Sequence, residues 1–357
     1  MNFLTESKSA WEQLLDAKQQ SLPIVIYGMG NAADKIIDFC ELHKIQIDGI
    51  FASDEFVRGQ SFRGYKIEHY HEILDRLGNN FLLVLAFASE RPELLTRFQQ
   101  LAKQHPTIAP HLGLFDNDVV TKKWLNDNNF QLTQAYNLLA DDYSRFVFCD
   151  MLNYKFSGKI KYLFNHTTQR SVDFSIFNLT ENETYFDFGA YDGDTVKEFL
   201  TLTNNHYNHI LAVEPDNRSF QKLTNNYQHL KNFHSVNCAM WNEQTQVPFH
   251  STGGRQASVY GGQKETVPAN TIDNLVEEYN LIPTYIKMDI EGTETETLTG
   301  GNKTISCYKP QMLIAGYHFD SDLFRIPIKL HDLNPHYQIY LRKHPYVPDW
   351  EINFFAK

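Results

Sequence analysis

Lys287, Asp289 and Glu291 alternate along the run Tyr285-Ile286-Lys287-Met288-Asp289-Ile290-Glu291-Gly292, and a later apolar run, 311–315, ends in Gly316-Tyr317-His318. Three charges on one face of a strand are too costly to bury without partners, so they are expected at its C-terminal end, lining a cleft. An imidazole at the carboxyl edge of a strand titrates near neutrality and suits a general base. His318 is therefore the first candidate to accept a proton. Asp289 is the second, as base itself or as the group that orients His318. A metal shared by Asp289, His318 and Asp216 is the weaker option. No ligand spacing recommends it, and no metal is expected.

A second constellation points to a ligand. Tyr185-Phe186-Asp187-Phe188-Gly189-Ala190-Tyr191-Asp192-Gly193 reads as a short buried strand followed by a glycine turn, with a helix after it. Glycine in such a turn lets the backbone approach a ligand that a Cβ would push away. The next strand, 209–214, ends in Glu214, 25 residues after Gly189. An acid at that strand tip is placed to accept hydrogen bonds from ribose hydroxyls, which implies an adenosine-type ligand. The pattern is Asp-x-Gly-x-x-x-Gly, without the glycine that a pyrophosphate presses against. That favours S-adenosylmethionine (AdoMet) over NAD. Pro215 and Asp216 continue the acidic strand tip. A third strand, 233–236, ends at Asn237-Cys238-Ala239, whose small residues leave room for a flat ring, with Asn237 or Trp241 at its edge.

Strands and helices alternate throughout, so the expected class is α/β: two Rossmann-like parallel-sheet domains joined by a helical connector. The first covers residues 1–115. It opens with a helix at 10–20, then strands at 24–27, 47–51 and 81–87 and helices at 31–44 and 92–103. Residues 116–180 read as the connector, with helices at 118–126 and 132–152 and a strand signal at 162–164. This connector can act as a lid or a homodimer contact. Residues 181–357 form the third unit, closed by two antiparallel strands at 338–341 and 351–355.

Composition sets limits. The chain has 357 residues, 42% of them hydrophobic, enough for more than one core. A formal charge of −11 argues against a nucleic-acid partner. No apolar run is long enough for a membrane span, and residues 1–10 lack a signal-peptide core. The four cysteines are scattered and read as reduced. A cytoplasmic protein is expected.

Two resemblances follow from these motifs. Gly28-x-Gly30-x-x-Ala33 is a glycine turn between a strand and a helix, and it resembles the N-terminal domain of bacterial amino-sugar acetyltransferases over about 60 residues. That resemblance implies a nucleotide or nucleotide-sugar site at Gly28, Gly30, Asn31 and Asp54. In the C-terminal half, Asp187-Phe188-Gly189-Ala190, Val213-Glu214-Pro215-Asp216 and Ile286-Lys287-Met288-Asp289-Ile290-Glu291-Gly292-x-Glu294 are similar to the FkbM family of AdoMet-dependent methyltransferases, over about residues 183–350. By that resemblance, Asp187 to Gly193 cradle the cofactor, Glu214 holds its ribose, and the acceptor is a hydroxyl of a sugar or natural product. Many members end the fifth strand with Glu, where this chain has Tyr317-His318.

The expected reaction is O-methylation of a sugar, glycan or nucleotide-sugar. Asp289 also borders the cofactor. Lys287, Glu291 and Tyr317 are expected to meet the acceptor. Arg255, Arg342 and His344 are expected to grip a phosphate on it. Two other readings compete: an NAD(P)-dependent oxidoreductase built on the Gly28 turn, and a non-catalytic sensor of AdoMet or a nucleotide.

Overall fold

Apolar runs too short for helices, each followed by a glycine or polar turn, assemble into two parallel-rich sheets. The computed structural model describes residues 1–115, 119–250, 259 and 265–357. The chain starts with helix α1 (Ala10–Gln19), where Ser9 and Glu12 form a reciprocal capping box. The first sheet follows, built from β1 (Ile24–Tyr27), β2 (Gly49–Phe51), β3 (Ser61–Phe62), β4 (Tyr65–Glu68), β5 (Leu82–Leu85) and β6 (Thr107–Ile108) in the order 3-4-2-1-5-6. All pairings are parallel except the β3–β4 hairpin. Helices α2 (Asn31–Leu42), α3 (Tyr70–Leu77) and α4 (Pro92–Gln104) make the crossovers. Strands β1, β2 and β5 are buried at every residue, as expected for strands covered on both faces.

The connector differs from expectation. It holds α5 (Lys122–Asp127), α6 (Asn129–Leu138) and α7 (Asp142–Ser157). The single helix expected over 132–152 is broken because Asp141 caps α7, accepting from Ser144 N at 2.7 Å, while Ala140 N donates to Ile339 O at 2.8 Å in the C-terminal sheet. The expected strand at 162–164 is instead a 3-10 turn, Ile160–Leu163, after Gly158 turns the chain at φ +66°. A one-turn helix, α8 (Arg170–Asp173), leads into the second sheet.

That sheet contains β7 (Thr184–Phe188), β8 (His209–Val213) and β9 (Phe233–Val236) on one side. A small three-stranded sheet of β10 (Ala239–Met240), β11 (Thr245–Phe249) and β12 (Glu265–Asn270) interrupts it. The main sheet then resumes with β13 (Tyr285–Met288), β14 (Gln311–Ala315), β15 (Ile339–Lys343) and β16 (Ile352–Ala356), giving the order 15-16-14-13-7-8-9. Its helices are α9 (Asp194–Leu202), α10 (Asn217–Tyr227), α11 (Ile272–Tyr279), α12 (Glu294–Gly300), α13 (Asn302–Tyr308) and α14 (Asp322–Leu333). Only β16 runs antiparallel between two neighbours, β14 and β15. The expected α/β class, with two Rossmann-like sheets and helices between them, is observed. Among the described residues no helix is long and apolar enough to cross a membrane.

The three parts share one apolar core, from Tyr27 and Leu85 through Phe148 and Met151 of α7 to Phe188 and Met288. Backbone bridges Ser89–Val347, Ile108–Lys159 and Leu139–Ile339 tie their edges together. A buried ionic lattice does the same. Lys155 Nζ lies 2.8 Å from Asp320 Oδ1 and 2.6 Å from Asp349 Oδ2, and His111 lies 2.7 Å from Asp320 and 3.0 Å from Asp349. Burial disfavours the His111 imidazolium, but Asp320 and Asp349 outweigh it and lift its pKa to about 9. Burial would raise both aspartates, but His111 and Lys155 outweigh it and hold them well below the usual carboxylate range. One residue of this lattice comes from the end of the first sheet's unit, one from the connector and two from the C-terminal part.

Candidate active site

The carboxyl ends of β7, β8 and β13 meet at one glycine. Gly189 has φ +76°, and a Cβ on it would lie 1.9 Å from the carbonyl oxygen of Asp289. Only glycine lets the β7 turn pass under the β13 end. Gly193 turns at φ +95° beneath the ring of Tyr227, whose hydroxyl donates to Gly193 O at 2.8 Å.

Asp187 and Lys287 sit opposite one another in the β7–β13 register. Lys287 Nζ is 3.4 Å from Asp187 Oδ1 and donates to Gly189 O at 2.8 Å. Thr195 Oγ1, at the start of α9, donates to Asp187 Oδ2 at 2.5 Å. Asp187 is fully buried: its Oδ2 accepts from Thr195, while its Oδ1 has no hydrogen bond and faces the Lys287 ammonium. It therefore braces the glycine turn rather than touching a ligand, which corrects the expectation of direct contact. Lys287 reaches the wall of the cavity described below, but its ammonium is committed to Asp187 and the turn. Burial would pull its pKa down, and Asp187 reverses that and raises it. The strand itself ends at Met288, so Asp289 and Glu291 lie beyond it, as the cost of burying them required.

Glu214 follows β8, and its carboxylate accepts from Tyr191 N at 2.9 Å and Asp216 N at 2.8 Å. Burial pushes its pKa up to about 7. Asn237 donates to Glu214 O at 2.8 Å and Pro215 O at 3.1 Å, so it fastens the acidic loop instead of meeting a ring edge. Asp216 caps α10, accepting from Arg218 N at 3.1 Å and Ser219 N at 2.9 Å. Asp192 accepts from Asn226 through its backbone oxygen, and Ala190 is packed in the core. These four shape the rim without lining it. Trp241 packs against Ala239, Val247 and Ala269.

One cavity of about 1190 Å³ opens over this rim. Gly189, Tyr191, Glu214, Pro215, Cys238 and Ala239 line it. Lys287, Asp289, Glu291 and Tyr317 line it as well. The far walls come from segments that the motifs did not single out: residues 90–92 and Leu95 from the start of α4, Phe164 and Arg170 from the connector, and Tyr346 and Trp350 from the β15–β16 turn. The α4 wall had a signal, since 86–91 follow β5 at the carboxyl edge of the first sheet, where α/β folds place ligands.

His318 is not a free base. It is 1% exposed and does not line the cavity. Its Nδ1 is 3.1 Å from Glu294, and its Nε2 lies 3.4 Å from Asp289 and 3.7 Å from Glu291. Burial disfavours its charge, yet Glu294, Glu291 and Asp289 outweigh that and push its pKa up to about 10. A group that keeps its proton at neutral pH cannot accept another. Asp289 keeps its cavity position, with the Tyr317 hydroxyl donating to it at 3.1 Å.

The phosphate grip is also corrected. Arg342 is buried, donating to Asp141 at 2.7 Å and to Ser144 Oγ at 2.8 Å, and it has no reach to a ligand. His344 borders the cavity, but its Nε2 is 3.2 Å from Asp173 and its Nδ1 is 3.2 Å from the Asn353 amide. Arg255 lies outside the described residues. At the other expected site, Asp54 is paired with His69 at 2.8 Å, and none of Gly28, Gly30, Asn31 or Asp54 lines the large cavity. The Gly28 turn has a packing reason: a Cβ there would lie 2.7 Å from the Phe87 ring.

Residues 187–347 match the family model described as the methyltransferase FkbM domain. That part of the chain is similar to the FkbM methyltransferase domain. The solved structure of methyltransferase FkbM from Methylobacillus flagellatus KT superposes with a TM-score of 0.73 at 19% identity, over 97% of this chain and 92% of that one. The shared fold therefore extends through the first sheet and the connector. Precorrin-6y C5,15-methyltransferase from Geobacter metallireducens GS-15 aligns over 52% of this chain and 85% of its own, with a TM-score of 0.34 and 14% identity. Aeropyrum pernix fibrillarin, solved with S-adenosyl-L-methionine, aligns over 50% and 67%, with a TM-score of 0.31 and 13% identity. No curated protein matches the chain. In this part of the chain, the three matched motifs are the ones that meet at Gly189.

Proposed function

We propose that the protein transfers a methyl group from AdoMet to a hydroxyl of a sugar, glycan or nucleotide-sugar. One observation carries the reading: the same cavity is lined by Gly189 of the glycine turn, by Glu214, and by Asp289, Glu291 and Tyr317. Its volume of about 1190 Å³ exceeds the roughly 300–1,000 Å³ usual for one small ligand, so donor and acceptor fit together. The donor end suits AdoMet: Glu214 presents a carboxylate to ribose hydroxyls, Gly189 keeps the floor clear, and Cys238 and Ala239 leave space for adenine. Bound there, AdoMet supplies a methyl on a sulfonium, a group that leaves without acid assistance.

The chain's own residues then have three tasks. The glycine turn, braced by Asp187 and Lys287, fixes the donor end. Asp289 faces the cavity and is positioned to accept the acceptor hydroxyl's proton, with Tyr317 holding its carboxylate in place. Tyr346 and Trp350, with ring centroids 5.5 Å apart on the far wall, offer aromatic faces of the kind that suit sugar rings. The first sheet's contribution is the α4 edge of the acceptor wall rather than a separate nucleotide site at Gly28.

The test is a methyl-transfer assay with labelled AdoMet and a panel of sugars and nucleotide-sugars. Asp289→Asn is expected to lower turnover about 10²–10⁴-fold, the range of a lost general base, with the affinity for S-adenosylhomocysteine nearly unchanged. Turnover within twofold of wild type would remove Asp289 from the reaction.

A further inference from the structure

Below the acceptor end lies a side-chain cluster with more acids than partners. Asp289, Glu291 and His318 bring one ligand atom each to within 4.8 Å of one another. Acidic groups alone would not make a site, but His318 adds an independent observation. Its Nε2 is buried without a hydrogen bond, aimed into the gap between Asp289 Oδ1 at 3.4 Å and Glu291 Oε2 at 3.7 Å. Both distances are long for hydrogen bonds. They match the edge of a coordination tetrahedron, since ligands 2.0–2.2 Å from a central ion stand about 3.5 Å apart.

The surroundings are those of a metal ligand set. The other ring nitrogen of His318, Nδ1, is likewise buried without a hydrogen bond and faces the Glu294 carboxylate at 3.1 Å, near enough for that carboxylate to set the tautomer of a ligating imidazole. The Tyr317 hydroxyl holds Asp289. A second group of three, Glu294, His318 and Asp322, is entirely buried, and two of its acids are spent on the backbone: Ile290 N donates to Glu294 at 3.0 Å and Phe319 N to Asp322 at 2.8 Å. Only the Asp289–Glu291 side opens to the cavity.

We propose that Asp289, Glu291 and His318 bind one divalent cation of zinc type, with its fourth position open to the cavity. Binding displaces the Nε2 proton of His318 to solvent, and two carboxylates with one neutral imidazole then leave such an ion without net charge and with one exchangeable site, as in catalytic centres. The position next to the proposed acceptor site gives the ion a role that rests on the methyl-transfer reading. An acceptor hydroxyl at the open position loses its proton more readily than in water, and the ion shares that task with Asp289. This replaces the expected set of Asp289, His318 and Asp216, because Asp216 caps α10 and Glu291 occupies the third position.

The test needs no substrate. The full chain, stripped with a chelator, is titrated with Zn²⁺ by calorimetry and with Co²⁺ by visible absorption. Wild type is expected to bind one ion per chain at this site and to give the intense spectrum of four-coordinate Co²⁺. Glu291→Gln and His318→Gln should each weaken that binding at least tenfold and lose the spectrum. Glu291 lines the cavity, so its variant keeps the test valid if His318→Gln does not fold. A wild-type titration indistinguishable from Glu291→Gln, or a weak six-coordinate Co²⁺ spectrum, would overturn the proposal. Either result leaves the methyl-transfer reading standing, because the sugar panel tests that separately.

Discussion

Two buried ionic clusters lie two residues apart in sequence and are built on opposite principles. Around Lys155, two cations meet two carboxylates: Lys155 and His111 against Asp320 and Asp349. Around His318, one imidazole meets Asp289, Glu291, Glu294 and, through Glu294, Asp322. The first is balanced and joins the three parts of the chain. The second gathers four carboxyl groups about one imidazole at the edge of the cavity, and burial pushes the pKa of Glu291 up to about 8 and that of Asp322 to about 7. Buried charges cost free energy unless they are paired. A balanced cluster fits a structural role. An unbalanced one is the type of strain that folds keep where chemistry happens.

The largest expected difference comes from breaking the balanced cluster. Lys155→Met leaves Asp320 and Asp349 short of a cation, and urea denaturation should show a loss of about 3–5 kcal/mol. A loss below about 1 kcal/mol would mean that the lattice does not join the parts. The next effect is smaller and depends on pH. The folded pKa of His111 is raised from 6.5 to about 9, so its contribution is complete below about pH 6.5 and disappears as pH rises through 9. The gap in melting temperature between wild type and His111→Asn should therefore be widest near pH 6 and close by pH 10. A gap independent of pH would show that His111 acts by packing alone. The smallest effect has the opposite sign. In chelating buffer, Glu291→Gln removes one acid from the unbalanced cluster and should stabilise the protein by about 0.5–2 kcal/mol. If it destabilises instead, the excess of acids is not a source of strain.

The same contrast explains what could be read from residues alone. The strands at Ile24–Tyr27 and Gln311–Ala315 were legible because burial on both faces needs a nearly uninterrupted apolar run. The Gly189 turn and Glu214 were legible because their spacing is local. Helix α14 was hidden by Pro327, which usually ends a helix but here lies inside one. His318 looked like a base because its place at a strand edge is visible in sequence, whereas the acids that hold its proton are set by folding. Arg342 looked like a free cation for the same reason; its partner Asp141 is 201 residues away. The lattice of His111, Lys155, Asp320 and Asp349 joins residues up to 238 apart, and no local pattern marks it.

The central claim is that the rim of Gly189 and Glu214 holds an adenosine-type donor, and calorimetric titration with S-adenosylhomocysteine tests it most directly. Ribose hydroxyls donate to the carboxylate of Glu214 and not to its acid form, whose pKa burial lifts to about 7. One saturable site per chain is predicted, roughly tenfold tighter at pH 8 than at pH 6, with Glu214→Gln weaker and insensitive to pH. The absence of saturable binding at either pH, or an undiminished affinity in Glu214→Gln, would contradict the account.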